Sequence, residues 1–332
     1  MKGIKVAKDQ GEKTRKKLME EGLLKTGYRI VSDDENIYFP VNEEVPWAEN
    51  VDYEFEAIER DETFEEKLRE FLSEDLMLQM RTFDSIGEIA VMEFDEKLEP
   101  YSKRIAKTFL STHKHYSTVL AKSSSISGKF RTREYVHLAG KKSTVTRHKE
   151  YGLTYEMDLK KMFFTPRMAN ERNRVSQLVE NGEIIIDMFC GIGPFSISIA
   201  KNSRPKIVYA IDMNADAIEY LKRNMIINKA GGIIPICGDA KEEIKYLPHA
   251  DRIIMNLPVT AHEFLYSAMK NIKDDGTIHF YSIVKDDDLE GVKHFIHERA
   301  KQLRREANIL NVIKIKPYSP YTYLTSFDIK IT

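Results

Sequence analysis

Three aspartates close successive β-branched runs: Asp187 follows Ile184-Ile185-Ile186, Asp212 follows Ile207-Val208-Tyr209-Ala210-Ile211, and Asp239 follows Ile233-Ile234-Pro235-Ile236-Cys237-Gly238. Between the first two lies Met188-Phe189-Cys190-Gly191-Ile192-Gly193-Pro194, and the run Phe195 to Ala200 then reads as a helix packed on a sheet. The glycines allow a ligand to lie against the backbone at the carboxyl end of a strand, where open α/β sheets bind ligands. Carboxylates at successive strand ends suit a ligand with an amino group, a ribose diol and an exocyclic amine. S-adenosylmethionine has all three. A dinucleotide fits less well. Ser196 stands where G-x-G-x-x-G needs its third glycine, and Asp187 precedes the turn, where it would repel a pyrophosphate. A purely structural strand-turn-helix explains the glycines but not three strand-end acids.

The elements that must position these residues follow an alternating pattern. A helix is expected from Met168 to Asn181, then strands near 184–187, 207–211, 233–236, 251–256 and 277–283 with helices between them. Ile309 to Lys316 and Tyr323 to Ile331 read as a closing antiparallel pair. Alternating βα units imply a mainly parallel sheet covered on both faces. Seven strands make this an α/β, Rossmann-like class I methyltransferase arrangement. The fourth strand runs into Asn256-Leu257-Pro258, a carbonyl-rich turn that can hold a planar nitrogen heterocycle edge-on. Proline and asparagine also end strands for ordinary reasons. Their meaning here comes from the three acids that share the sheet edge.

Length and composition bound the setting. The chain has 332 residues, 42% hydrophobic and 31% charged, enough for two or three domains with real cores. No apolar run approaches the ~20 residues of a membrane span, and the lysine-rich, acid-containing start is no signal peptide. Two cysteines, Cys190 and Cys237, leave no disulfide framework and no cysteine zinc site, and both read as small buried apolar residues. No metal, no membrane and a cytoplasmic location are expected. Scarce glutamine beside plentiful Lys, Glu and Ile leans toward a thermophilic source.

The net charge of -1 hides an asymmetry. Residues 31–100 hold 23 Asp and Glu against five Lys and Arg, whereas residues 103–149 hold twelve Lys and Arg and one acid, Glu134. A block so poor in acids calls for an anionic partner, and a nucleic-acid backbone is the default. His113, His115, Tyr116, Tyr135, His137 and His148 add rings that could stack on bases or simply pack.

Upstream, residues 1–55 read as a small unit. It has a helix from Gly11 to Glu21 and strands at Tyr28 to Val31 and Asn36 to Val41. The acidic stretch 50–66 reads as a linker. Residues 67–165 read as a second α+β unit. Its elements are a glycine-led strand from Ser85 to Glu93, a helix from Tyr101 to Leu110, and strands at Ser117 to Ala121, Thr132 to Ala139, Ser143 to Arg147 and Leu153 to Asp158. Residues 166–332 form the sheet-bearing domain.

Several motifs resemble one family. They are Phe83 to Ala90 (Phe-Asp-Ser-Ile-Gly-Glu-Ile-Ala), Phe130-Arg131-Thr132-Arg133, Thr165-Pro166-Arg167 with Glu171-Arg172, and Asp187 to Phe195. Asn256-Leu257-Pro258 with Ala261 to Phe264 and Pro317-Tyr318-Ser319-Pro320 complete the set. The chain resembles, over essentially its whole length, the archaeal and eukaryotic tRNA (guanosine-37) N1-methyltransferases. The resemblance implies two small RNA-binding domains before the methyltransferase domain, S-adenosylmethionine as donor and tRNA as partner. A monomer that requires no protein partner is expected. By the same resemblance, Asp187, Phe189, Gly191 and Gly193 match the donor loop. Asp212 with Met213 matches the ribose site, Asp239 lies near the adenine amine, and Phe163 is an aromatic near donor and base. Asn256 and Pro258 match the target-base turn, Glu171 the general base, and Arg131 the arginine on the guanine carbonyl. Arg167 and Arg172 match neighbours of the anticodon loop. Arg133, Lys141, Lys142 and Arg147 belong to the basic block expected on RNA.

Chemistry agrees with those roles. Guanine N1 is not nucleophilic while it carries its proton, so a positioned base is needed, and a carboxylate with a raised pKa would serve. Charge building on O6 can be met by an arginine, and alignment does the remainder. The base must leave the loop stack to reach the pocket. Read without the resemblance, Glu171 is a helix-surface carboxylate paired with Arg167 or Arg174. Where better-known members have Lys after Asn-Leu-Pro, this chain has Val259. A subgroup of archaeal relatives also methylates C7 of the tricyclic wyosine precursor, and a permissive base turn suits that larger acceptor. Methylation of another RNA nucleotide and a catalytically silent RNA-binding module are the remaining alternatives. The lack of a cysteine at the base turn argues against a cytosine- or uracil-C5 methyltransferase.

Overall fold

The computed structural model describes residues 1–58, 61–123 and 134–332. These fall into two compact units, Met1–Glu70 and Phe71–Thr332.

The first unit contains β1 (Lys2–Ala7), α1 (Gly11–Glu20), β2 (Val31–Ser32), β3 (Asn36–Pro40), β4 (Glu49–Asp52) and α2 (Phe64–Arg69). Its sheet has the order β2-β3-β1-β4, with antiparallel pairing throughout. Leu18 of α1 is buried with Ile4, Phe39, Val41 and Val45. Thr63 and Glu66 form a capping box at the start of α2. The stretch read as an acidic linker is partly ordered sheet. β4 pairs with β1, Phe55 is buried, and Tyr28 bridges Ala57. The acid count masked the alternation of Val51, Tyr53 and Phe55, and the central strand β1 carries only Ile4 and Val6 as large apolar residues, set among lysines.

The second unit begins with α3 (Glu74–Met77), β5 (Asp84–Ile86), β6 (Ile89–Met92), α4 (Ser102–Thr112), β7 (Thr118–Lys122) and β8 (Tyr135–Gly140). The sheet order is β5-β6-β7-β8. Where the sequence suggested one strand from Ser85 to Glu93, the chain folds back as the β5-β6 hairpin. Gly87 adopts φ 58 at the turn, and a Cβ there would lie 2.2 Å from the Arg147 carbonyl oxygen. The motif Phe130-Arg131-Thr132-Arg133 precedes β8 in the chain and lies outside the described residues.

β9 (Val145–Glu150) and β10 (Leu153–Asp158) form a separate hairpin. Then follow α5 (Ala169–Gln177), β11 (Ile184–Asp187), α6 (Pro194–Asn202), β12 (Ile207–Asp212), α7 (Ala215–Asn228), β13 (Ile233–Cys237), α8 (Ala240–Glu243) and β14 (Ala250–Met255). The chain ends with α9 (Leu265–Asn271), β15 (Ile272–Lys285), α10 (Leu289–Gln302), β16 (Ala307–Ser319) and β17 (Thr322–Ile331). The sheet order is β13-β12-β11-β14-β15-β17-β16. The first five strands are parallel, and β17 runs antiparallel to both its neighbours, β15 and β16, so that β17 alone is reversed. This is the seven-stranded arrangement expected.

Consecutive residues of each buried strand serve opposite faces. Ile185 and Ile254 pack with residues of α5, α6 and α7, whereas Ile186, Ile253 and Met255 pack with residues of α9 and α10. α5 stops at Gln177, earlier than Asn181, and the carbonyl of Leu178 accepts from Arg252 Nη2 at 2.7 Å. Cys190 is buried as expected, but Cys237 is exposed, because it ends β13 at the sheet's open edge.

β10 docks on α7 through side-chain amides. Asn224 accepts from the Glu156 N–H at 2.7 Å and donates to the Glu156 carbonyl at 3.0 Å. Asn228 does the same for Thr154, at 2.8 and 2.7 Å. Asparagines four residues apart on one helix face thus supply the donors and acceptors that a neighbouring strand would. No described helix is long and apolar enough to cross a membrane.

Candidate active site

β11 is the point where strand order reverses, with β12 on one side and β14 on the other, and a crevice opens at such a switch. A cavity lies there. Of the candidate residues, Phe163, Phe189, Gly191, Asp212, Met213, Asp239, Asn256, Pro258 and Arg172 line it.

The two glycines of the turn do different work. Gly191 has φ 53, and a Cβ there would meet nothing within 4 Å, so the backbone presents a bare face. Gly193 has φ 87 at the N-terminus of α6, and a Cβ there would lie 2.2 Å from Leu221 Cδ1 of α7. It serves helix packing.

Asp187 is fully buried. Ser196 Oγ donates to its Oδ2 at 2.8 Å, while its Oδ1 has no hydrogen-bond partner. Burial pushes this carboxyl up to about 7. Hydrogen bonds from Ser196 and the Phe189 N–H oppose the rise, and the charge of Asp212 adds to it. Asp212 accepts from the N–H groups of Gly191 and Asn214 at 2.8 and 2.9 Å, and burial raises its pKa despite both. Neither acid has a cation beside it in the described ion pairs. A buried acceptor without a donor is costly, and a cationic ligand with a free N–H is what these acids fit. Asp239 is exposed and caps α8 by accepting from the Lys241 N–H at 2.9 Å.

Asn214, which sequence reasoning missed, ties two walls together. It caps α7 by accepting from the N–H groups of Asp216 and Ala217, and its Nδ2 donates to the Lys161 carbonyl at 2.7 Å. The loop carrying Phe163 is thereby fixed to the start of α7. An Asn before Ala-Asp after a strand-end acid was the available signal.

Glu171 sits elsewhere. It is buried, on the first turn of α5, and it is not among the residues lining the cavity. Its Oε1 accepts from Tyr281 Oη at 2.8 Å and Arg174 Nη2 at 2.7 Å, and its Oε2 accepts from Arg174 Nε at 2.8 Å. Arg174 also reaches Asp328, with Nη1–Oδ2 at 2.8 Å and Nη2–Oδ1 at 3.0 Å. Asp328 Oδ1 lies 2.6 Å from His279 Nδ1, and Arg252 Nη1 lies 2.8 Å from His279 Nε2. Since Arg252 can only donate, Nε2 must accept, so His279 is the neutral tautomer with its proton on Nδ1. Burial pushes the imidazole below its ordinary range, in agreement. Burial alone would raise Asp328, but hydrogen bonds from His279 and Arg174 overcome it and hold that carboxyl well below the ordinary carboxylate range.

The structure distributes the expected RNA residues unevenly. Lys141 and Lys142 are exposed. Arg147 is exposed and pairs with Glu156 at 2.8 Å, and Arg167 pairs with Asp84 at 2.7 Å. Arg172 is almost fully buried, with both nitrogens of its fork on Glu150 at 2.6 and 2.7 Å and its plane over Phe164. Arg131 and Arg133 lie outside the described residues. Several rings of the basic block are packing residues: His113 stacks on Phe109 at 4.1 Å, Tyr116 Oη donates to Ser85, and His148 Nδ1 accepts from the Gly87 N–H.

The sheet order, the switch-point cavity and the acid-glycine turn together define a class I methyltransferase. A family model of the TRM5/TYW2 methyltransferase domain matches residues 146–310. Models of the tRNA methyltransferase 5 and TYW2 N-terminal domains match residues 3–49 and 64–144. The chain is 38% identical over 331 residues to tRNA (guanine(37)-N(1))-methyltransferase Trm5b of Pyrococcus abyssi, covering 99% of this chain and 98% of that protein. The crystal structure of that Trm5b superposes with a TM-score of 0.84 at 36% identity, covering 100% and 99% of the two chains. The complex structure of aTrm5 and tRNALeu superposes with a TM-score of 0.79 at 32% identity over 99% of both chains. tRNA 4-demethylwyosine(37)-methyltransferase Taw21 of Saccharolobus solfataricus is 40% identical over 207 residues, 62% of this chain and 79% of that protein. The chain belongs to the TRM5/TYW2 methyltransferase family.

Proposed function

We propose that this protein is an S-adenosylmethionine-dependent tRNA methyltransferase acting on N1 of guanosine 37. The observation that carries the reading is the unpartnered, buried Asp187 oxygen at the end of β11; Asp187 does not itself line the cavity, but Asp212, Asn256 and Pro258 at the neighbouring strand ends do. The donor, when bound, supplies a methyl group already activated on a sulfonium. In this reading Asp187 faces the amino group, Asp212 with Met213 the ribose and Asp239 the adenine edge. Bare Gly191 lets the ligand lie on the backbone, and Phe163 and Phe189 close the apolar sides. Asn256 and Pro258 hold the guanine edge, and Arg131 meets the charge on O6. Lys141, Lys142, Arg147, Arg133 and Arg167 meet phosphates, and Arg172 shapes the wall through Glu150 and Phe164.

Glu171 takes the N1 proton in this reading, which requires Arg174 to yield it by settling fully on Asp328. The Arg174 clamp favours a second reading, in which Glu171 only anchors α5. We further propose the division 1–55, 67–165 and 166–332, and action as a cytoplasmic monomer without a protein partner.

The test is incubation with labelled S-adenosylmethionine and tRNA transcripts carrying G, another base, or the tricyclic wyosine precursor at position 37, followed by nucleoside mass spectrometry. 1-Methylguanosine from the G37 transcript alone supports the reading. Label on C7 of the precursor adds the second acceptor, for which exposed Val259 leaves room and to which Taw21's name points. No label in any transcript refutes the proposal.

A further inference from the structure

The hairpin of β16 and β17 ends beside the cavity, and its tip is built at a cost that folding alone does not require. Ser319 pairs with Thr322, which leaves Pro320 and Tyr321 as a two-residue turn. Proline supplies the fixed φ such a turn wants at its first position, but Tyr321 holds φ 57, where glycine or asparagine is the unstrained choice. A bulky residue kept in the left-handed region points to a use for its side chain. That side chain is 80% exposed. The carbonyl of Tyr321 accepts from the Asp286 N–H at 2.9 Å, so the turn is tied to the end of β15 and does not drift.

A second feature lies on the same strand. The pairing of β16 with β17 shifts between Pro317 and Ser319, leaving Tyr318 as an extra, unpaired residue. A bulge re-aims the residue it carries, and bulges gather beside functional sites. Tyr318 is 61% exposed and lines the cavity, together with Lys316 of the same strand. Two exposed phenol rings therefore stand within four residues of one another on a fixed turn, one of them at the cavity wall.

We propose that Tyr318 and Tyr321 form a stacking platform for an RNA base next to the one that enters the cavity. This rests on the reading of the substrate as a tRNA loop. An extruded purine leaves its neighbours without stacking partners, and exposed aromatic faces replace that stacking for unpaired bases. A fixed turn offers the platform without the ordering cost of a mobile loop.

The test compares Tyr321→Gly and Tyr318→Ala with the unaltered chain, using tRNA with 2-aminopurine at either neighbour of nucleotide 37. Tyr321→Gly relieves the strained backbone, so its Tm should equal or exceed that of the parent. Its tRNA affinity should fall roughly 5- to 150-fold at constant salt, the span for losing one base–aromatic stack. 2-Aminopurine quenching at one neighbour should weaken, S-adenosylmethionine affinity should stay put, and Tyr321→Trp should restore RNA binding. Tyr318→Ala should show the same RNA loss without touching the turn. Parental tRNA affinity and quenching in both variants, with the parent still methylating G37, would overturn the platform and leave the functional reading intact. A parent that binds no tRNA would overturn both.

Discussion

Two groups of carboxylates, fully buried Asp187 with half-buried Asp212 and buried Glu171 with buried Asp328, have opposite electrostatic fates. At the carboxyl edge, Asp187 and Asp212 lie close together, and burial raises both. On β15, β17 and α5, Glu171 and Asp328 are bound by Arg174, Tyr281 and His279, and Asp328 is held low. The first group is costly in the ligand-free protein and, in the proposed function, is relieved by a cation from outside. The second is already neutralised from within and serves to lock α5 against the closing strands. A buried acid marks a binding site when its partner is missing, and a structural joint when its partner is present.

Glu171 is where that contrast is most exposed, because its surroundings are those of the joint while its proposed role belongs to the site. Glu171→Gln should lower the single-turnover methylation rate by ~10²–10⁴-fold with donor affinity nearly unchanged. An undiminished rate would assign Glu171 to the joint alone. Asp328→Ala strips Arg174 and His279 of their shared partner and should cost about 3–5 kcal/mol of unfolding free energy. A loss under about 1 kcal/mol in denaturant titration would show that the network is not the lock described here.

The signs of the pH dependence also separate the groups. Asp187 is raised, so between about pH 4 and 7 the native state binds more protons than the unfolded chain, and this group erodes stability as pH rises. Asp328 is lowered, so its contribution is present above the ordinary carboxylate pKa of 3.8 and fades as pH falls below it. Asp187→Asn should flatten the ligand-free stability profile between about pH 4 and 7, a change of a few kcal/mol across the window. An unchanged profile would place the titration elsewhere. The smallest expected effect is on the exposed basic face: Lys141→Glu with Lys142→Glu should weaken tRNA binding and reduce the slope of log affinity against log salt by about one per lost phosphate contact. A slope equal to the parent's would give those lysines another role.

The sequence made the first group legible and hid the second. Strand-end acids after β-branched runs and a glycine turn are local signals, each carried by a few adjacent residues, and they led to the carboxyl edge of a mainly parallel, seven-stranded sheet; the strand order itself came only from the structure. Arg174, His279 and Asp328 come together from elements up to 154 residues apart, and no local pattern announces them. The pairing of Glu171 with Arg174 was readable from i,i+3 spacing, but its burial was not, because α5 alone is polar in composition. Likewise Asn224 and Asn228 look like ordinary surface asparagines until β10 lies against them. The hairpin at Gly87 and the sheet around Phe55 were missed because charge and composition were given more weight than alternation.

Calorimetric titration of S-adenosylmethionine between about pH 5.5 and 7, below the ordinary α-amino pKa of ~7.7–8.0, tests the central contrast most directly. The account predicts that affinity tightens as Asp187 ionises, that protons are released on binding, and that Asp187→Asn binds weakly at every pH in the window. Tight binding that ignores pH and survives Asp187→Asn would contradict it.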